Sequence, residues 1–164
     1  MTFGSNKTIN WTFNGKPIDT TDSYKYLGNI FRKTKTCSQD VFSENYGFLI
    51  DKARKALFAM NRRTKNLGPV PPEIAIYLFN SIIMPILQYG SEVWGVNKAC
   101  WPLLDRMCLK YMRYVLGVKP STSNIITFGE CGIIPPSVKC KISSICFLNR
   151  IACLPDAMLV KKGI

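Results

Sequence analysis

Ten carboxylates could do acid–base or metal chemistry in this chain, at Asp19, Asp22, Asp40, Glu44, Asp51, Glu73, Glu92, Asp105, Glu130 and Asp156. General acid–base and two-metal mechanisms need acidic groups held close together, and no two of these are adjacent in the sequence. Asp19 and Asp22 flank Thr20 and Thr21, a pattern suited to capping a turn. Seven cysteines (Cys37, Cys100, Cys108, Cys131, Cys140, Cys146 and Cys153) offer nucleophiles, but the chain has no histidine to serve as their base. The missing histidine also excludes a Cys/His zinc site, and without a C-x-x-C pair an all-cysteine site lacks the usual spacing. Neither a Gly-rich phosphate loop nor a G-x-S-x-G nucleophile setting occurs. No catalytic residue, metal or cofactor is expected of this chain. The odd cysteine count, with no secretory signal, reads as free and mostly buried thiols in an intracellular protein.

What the residues do offer is positive charge. Twenty-two Lys and Arg against ten Asp and Glu give +12 over 164 residues, while a 47% hydrophobic content argues for a packed core over disorder. Such an excess favours a polyanion, either nucleic acid or an acidic membrane surface, with a merely soluble basic domain as the plain alternative. Lys52, Lys55, Arg62 and Arg63 fall within an arc of about 100° on a helix that advances about 100° per residue. A stripe of this kind can follow a phosphate backbone, although Lys and Arg favour helix exteriors in most proteins. Arg32, Lys33 and Lys35 add charge just upstream. Tyr24 and Tyr26 alternate with Lys25, and can either stack on nucleic-acid bases or pack as a sheet face. The membrane reading is the weakest. The apolar stretch from Ile74 to Tyr89 is interrupted by Asn80, Ser81, Pro85 and Gln88, and no basic amphipathic anchor is evident.

The elements that must position these groups change character along the chain. Ile9, Trp11 and Phe13 alternate with polar residues and lead into the turn dipeptide Asn14-Gly15, and the run from Tyr24 to Phe31 alternates enough to be another strand. Together they predict a small antiparallel sheet of two or three strands, with an exposed apolar face and unpaired edges. From Ser38, a plausible cap, the apolar positions Phe42, Tyr46, Leu49, Ala53, Ala56, Leu57 and Met60 recur at helical steps, with a stop near Gly68. Pro71-Pro72-Glu73 opens a second helix to about Trp94, which Pro85 should kink or break. A third runs from about Lys98 to Gly117, with Leu103, Leu104, Met107, Cys108, Tyr111, Met112, Val115 and Leu116 on its core face. A short segment covers Ile125 to Glu130, and Pro135-Pro136 opens a fourth helix through Ile151. The fold class expected is therefore mainly α with a small N-terminal antiparallel hairpin, its three or four helices forming a bundle.

Four ordered blocks carry a family resemblance. Phe13-Asn14-Gly15-Lys16-Pro17-Ile18 followed by Tyr24-Lys25-Tyr26-Leu27-Gly28 resembles the region just after the catalytic motifs of LINE-type (non-LTR) retrotransposon reverse transcriptases. Lys52 to Leu57 resembles their first thumb helix. Leu78-Phe79-Asn80-Ser81 through Pro85-Ile86-Leu87-Gln88-Tyr89-Gly90-Ser91-Glu92-Val93-Trp94-Gly95 resembles their most recognisable block in this region. Leu116-Gly117-Val118, Thr122-Ser123-Asn124 and Gly129-Glu130-Cys131-Gly132 match a further stretch. The resemblance implies a palm-end hairpin over residues 1–35, a thumb-like bundle over 36–119, and a truncated helical linker over 120–164. It implies that Tyr24, Lys25, Tyr26, Leu27 and Gly28 sit near a primer terminus and that the helices grip a template-primer of RNA or RNA–DNA hybrid. The partners it implies also include the fingers and palm, whose catalytic aspartates lie upstream of this hairpin. On this reading the chain alone is no enzyme, and Arg32, Lys33, Lys52, Lys55, Arg62 and Arg63 contact nucleic acid. Gly132-Ile133-Ile134-Pro135 departs from the Gly-Arg-Pro common in relatives, so that arginine's role does not transfer, and the Cys/His knuckle is missing. The alternative is a stand-alone helical protein-interaction module derived from a retroelement.

Overall fold

The computed structural model describes residues 12–17, 21–32, 41–66 and 68–154. They are mainly helical, with two small antiparallel hairpins near the N-terminus. The chain packs as two compact units, Met1–Phe48 and Leu49–Ile164.

In the first unit, β1 (Thr12–Phe13) pairs with β2 (Lys16–Pro17) around Asn14 and Gly15, both at positive φ. This is the mirror-image turn that an Asn-Gly dipeptide favours. β3 (Ser23–Tyr26) pairs with β4 (Asn29–Arg32), placing Tyr24 opposite Phe31 and Lys25 opposite Ile30. The run from Tyr24 to Phe31 is thus a hairpin where one strand was expected, and the two hairpins form separate sheets rather than one. Leu27 and Gly28 make the reversal at φ +46° and +85°. Leucine gives no turn signal, and the one that Gly28-Asn29 does give was passed over in the run of alternation. The hairpin docks on the start of α1 (Ser43–Lys65) through Asn45, which is fully buried. Its Oδ1 accepts from the Ile30 N–H at 3.1 Å and its Nδ2 donates to Asn29 Oδ1 at 3.3 Å. The Phe31 and Phe42 rings meet beside it, 5.2 Å between centroids. Ser38, the expected cap, lies outside the described residues.

In the second unit, α1 continues to Lys65 and buries Leu49, Ile50, Ala53 and Met60. The helix from Pro72 to Trp94, expected to kink or break at Pro85, is divided into four pieces. α2 (Pro72–Leu78) passes into a π-helical turn (Phe79–Ile83), then α3 (Met84–Leu87), a turn at Gly90, and α4 (Ser91–Trp94). Pro85 accounts for the π turn, since it has no N–H for the preceding turn and its ring collides with the carbonyl four residues back, while the left-handed Gly90 separates α3 from α4. Widening the turn ahead of the proline relieves that collision. The same adjustment keeps Phe79, Ile83, Met84 and Leu87 all inside the core.

α5 (Trp101–Leu116) buries Leu104, Cys108, Leu109, Tyr111 and Met112. It ends in a left-handed Gly117, with the Val118 N–H donating to the Arg113 carbonyl and the Gly117 N–H to that of Tyr114. This paired pattern satisfies the last carbonyls of a helix and requires a residue at ease with positive φ. α6 (Asn124–Glu130) and α7 (Pro136–Ala152) follow. Pro135 offers α7 no side-chain cap, so Asp105 of α5 supplies one from a distance, accepting from the Ser137 N–H at 3.0 Å and Ser137 Oγ at 2.7 Å. α7 packs closely on α4. A Cβ on Gly95 would overlap the Cys140 carbonyl, and Ser144 Oγ donates to the Ser91 carbonyl at 2.6 Å in a buried contact.

Candidate nucleic-acid interface

α1 separates its residues by face. Leu49, Ala53 and Met60 turn inward while Lys52, Lys55, Arg62 and Arg63 are all exposed, so the basic arc expected from spacing is a solvent-facing surface. Lys55, Arg62 and Arg63 have no carboxylate within ion-pair distance among the described residues, whereas the neighbouring Arg54 pairs with Asp51 at 3.5 Å. Arg62 and Arg63 also lie in the last turn of the helix, where cations complement the dipole. Phe58 stands 72% exposed on the same helix, an aromatic that the apolar periodicity passed over. Lys52 to Arg63 spans about 16 Å at 1.5 Å per residue, enough to meet several successive phosphates.

The hairpin group belongs to the other unit. Tyr24 and Tyr26 are 53% and 56% exposed, their rings 6.5 Å apart and 21° from parallel, on one face of β3. Lys25, on the opposite face, sets its Nζ 4.9 Å from the Phe48 ring centre, a cation–π contact. Leu27 stands 72% exposed at the hairpin tip beside Gly28. Arg32 shares its charge with Glu44 at 3.4 Å. Lys33 lies outside the described residues, as does Lys35.

The long block from Gln88 to Gly95 does structural work. Trp94 is 1% exposed and donates from Nε1 to the Tyr89 carbonyl at 3.1 Å. Trp101 donates from Nε1 to the Gly95 carbonyl at 3.0 Å, and Lys141 Nζ sits 3.5 Å from the Trp101 ring centre. These residues hold α4 and α5 on α7.

Reading by spacing missed a second basic face. Arg106, Lys110 and Arg113 of α5 line a groove together with the exposed Tyr114. They recur at steps of four and three, the helical signal itself, but the apolar positions between them drew the helix into the core reading. Among the described residues no cluster of three or more Cys, Asp or Glu side chains could hold a metal, and no helix is long and apolar enough to cross a membrane.

No protein-family model matches the sequence, and no solved structure matches it. Over 84 residues, 50% of this chain, it is 32% identical to an uncharacterized transposon-derived protein of Caenorhabditis elegans. The chain spans 27% of that relative's length.

Proposed function

We propose that this chain is the palm-end and thumb-like portion of a LINE-type reverse transcriptase, gripping template-primer nucleic acid beside fingers and palm that supply the chemistry. The observation that carries the proposal is the face of α1, where Lys52, Lys55, Arg62 and Arg63 are exposed together over a buried apolar stripe. A surface of that kind binds by displacing counterions from phosphates, independently of base sequence. Likeness to a transposon-derived protein supports the origin, and the ordered blocks from Phe13 to Gly132 support the LINE type. The stacked pair Tyr24 and Tyr26, with Leu27 and Gly28 at the tip, is the part of the hairpin available to a primer end.

The test is charge reversal. Lys52→Glu, Lys55→Glu, Arg62→Glu and Arg63→Glu in one variant should abolish salt-dependent binding to an RNA–DNA hybrid while leaving the helical circular dichroism intact. Binding that survives unchanged refutes the grip. The alternative, a helical protein-interaction module, draws on α7, which leaves Val138, Ile142, Ile145 and Leu148 exposed. It predicts that the same four changes leave the chain's associations unaffected.

A further inference from the structure

The groove over α5 is built from chemistry different from that of the α1 face. It is a half-open cleft of about 760 Å³, within the range of small-ligand sites. Arg106, Lys110 and Arg113 bring three positive charges to its lining, Leu109, Val118 and Pro120 give it apolar wall, and Tyr114 and Asn124 lie among them. Asp105 is the acidic member, and its carboxylate is already engaged by the Ser137 N–H and hydroxyl. Arg106 and Lys110 are exposed, with no carboxylate within ion-pair distance among the described residues.

Two details suit this groove to a nucleotide better than to a bare anion. Tyr114 is 76% exposed, yet it is the outer member of a ring series that reaches into the core. Its centroid lies 6.4 Å from Tyr111, and Tyr111 stacks on the buried Phe79 at 5.0 Å and 15°. The platform is therefore braced from behind, so little side-chain freedom would be lost when a planar group settles on it. Arg113 fixes the facing wall, its Nη2 donating to the Thr122 carbonyl and to Asn124 Oδ1, each at 2.6 Å. That clamp holds the segment from Val118 to Asn124 beside α5, leaving Arg106 and Lys110 as the exposed cations of the groove.

We infer that this groove holds an unpaired nucleic-acid strand, with a base stacked on Tyr114 and the flanking phosphates on Arg106 and Lys110. A base within a duplex has both faces occupied by its neighbours, so a braced and exposed ring selects for single-stranded segments, while the charges follow the backbone without reading sequence. The inference rests on the proposal that the chain binds nucleic acid, but it assigns a separate surface and a different form of ligand. Within that proposal the groove receives a strand leaving the duplex held by α1.

The experiment uses the full chain with a fluorescein-labelled single-stranded RNA octamer and, separately, an RNA–DNA hybrid, both followed by anisotropy. Tyr114→Ala should weaken octamer binding about tenfold, as loss of one stacking contact does. Tyr114→Phe should restore it, and neither should change hybrid binding. Arg106→Gln with Lys110→Gln should lower the octamer's salt slope by about 1.4, two contacts at roughly 0.7 each. All these side chains are exposed, so circular dichroism should match the parent. Octamer binding indifferent to every groove variant overturns the inference, as does equal weakening of octamer and hybrid by Tyr114→Ala. An acidic peptide that competes with the octamer as well as a second oligonucleotide does would also overturn it. Loss of hybrid binding in the α1 variant alone leaves the octamer readout standing, so the two claims fail separately.

Discussion

Leu27 is where this chain bears a conformational cost that an ordinary hairpin avoids. A branched, 72% exposed side chain at φ +46° sits where Asn or Gly is comfortable. Leu27→Asn should raise stability in urea melts by about 1 kcal/mol through relief of that conformation. If the tip meets a primer end as proposed, the same variant should weaken hybrid binding, so that stability and binding move in opposite directions. A melt showing destabilisation would mean that Leu27 contributes packing that outweighs its backbone. The thiols give a second residue-scale expectation. Burial pushes Cys108 up to about 12 and Cys140 up to about 11, in each case with a smaller contribution from Asp105, while Cys146 and Cys153 are exposed. Maleimide labelling of the native chain, mapped by mass spectrometry, should modify Cys146 and Cys153 and spare Cys108 and Cys140 until denaturant is added. Because both raised groups hold their protons more tightly folded than unfolded, their contribution is intact below about pH 9 and is lost as pH climbs towards 11 and 12. Urea midpoints should fall across that window, and a flat profile would contradict the burial.

At the scale of elements, the close fit of α4 on α7 makes the strongest demand on sequence. Gly95 lies where any Cβ would meet the Cys140 carbonyl backbone, so Gly95→Ala should cost about 2 kcal/mol in denaturant melts, as forced overpacking does. A cost under a few tenths would show that the two helices separate easily. Helix ends marked by Gly117, Pro72 and Pro136 were legible from sequence because proline and glycine act through their own backbones. The break after α2 was legible as a perturbation at Pro85 but not in its form, since a π turn depends on how Phe79 and Ile83 pack around it. The Tyr24–Phe31 reversal was missed because leucine at the first turn position kept the alternation going, although Gly28 marks the turn. Of the candidate site, the α1 arc could be read because its cations sit on the helix period. The α5 cations sit on that period too, but the groove they line could not be read, because its wall comes from the segment around Val118 and Asn124, held by the Arg113 clamp across nine and eleven residues. Pairings of that kind leave no periodic trace.

For the molecule as a whole, the excess of cations that gives +12 includes two groups on surfaces of different shape. One is an open helical face that suits a continuous phosphate backbone, and the other is a cleft with an aromatic platform. Both belong to the unit Leu49–Ile164, whereas Tyr24, Lys25, Tyr26, Leu27 and Gly28 belong to Met1–Phe48. A nucleic-acid grip of this construction should depend steeply on salt, in proportion to the phosphates neutralised. The most direct measurement is therefore the affinity of the full chain for an RNA–DNA hybrid across a salt series, beside the variant carrying glutamate at Lys52, Lys55, Arg62 and Arg63. The expected result is a linear fall of log affinity with log salt for the parent, and no salt-dependent binding left in the variant. Equal slopes for the two proteins, or affinity indifferent to salt, would contradict it.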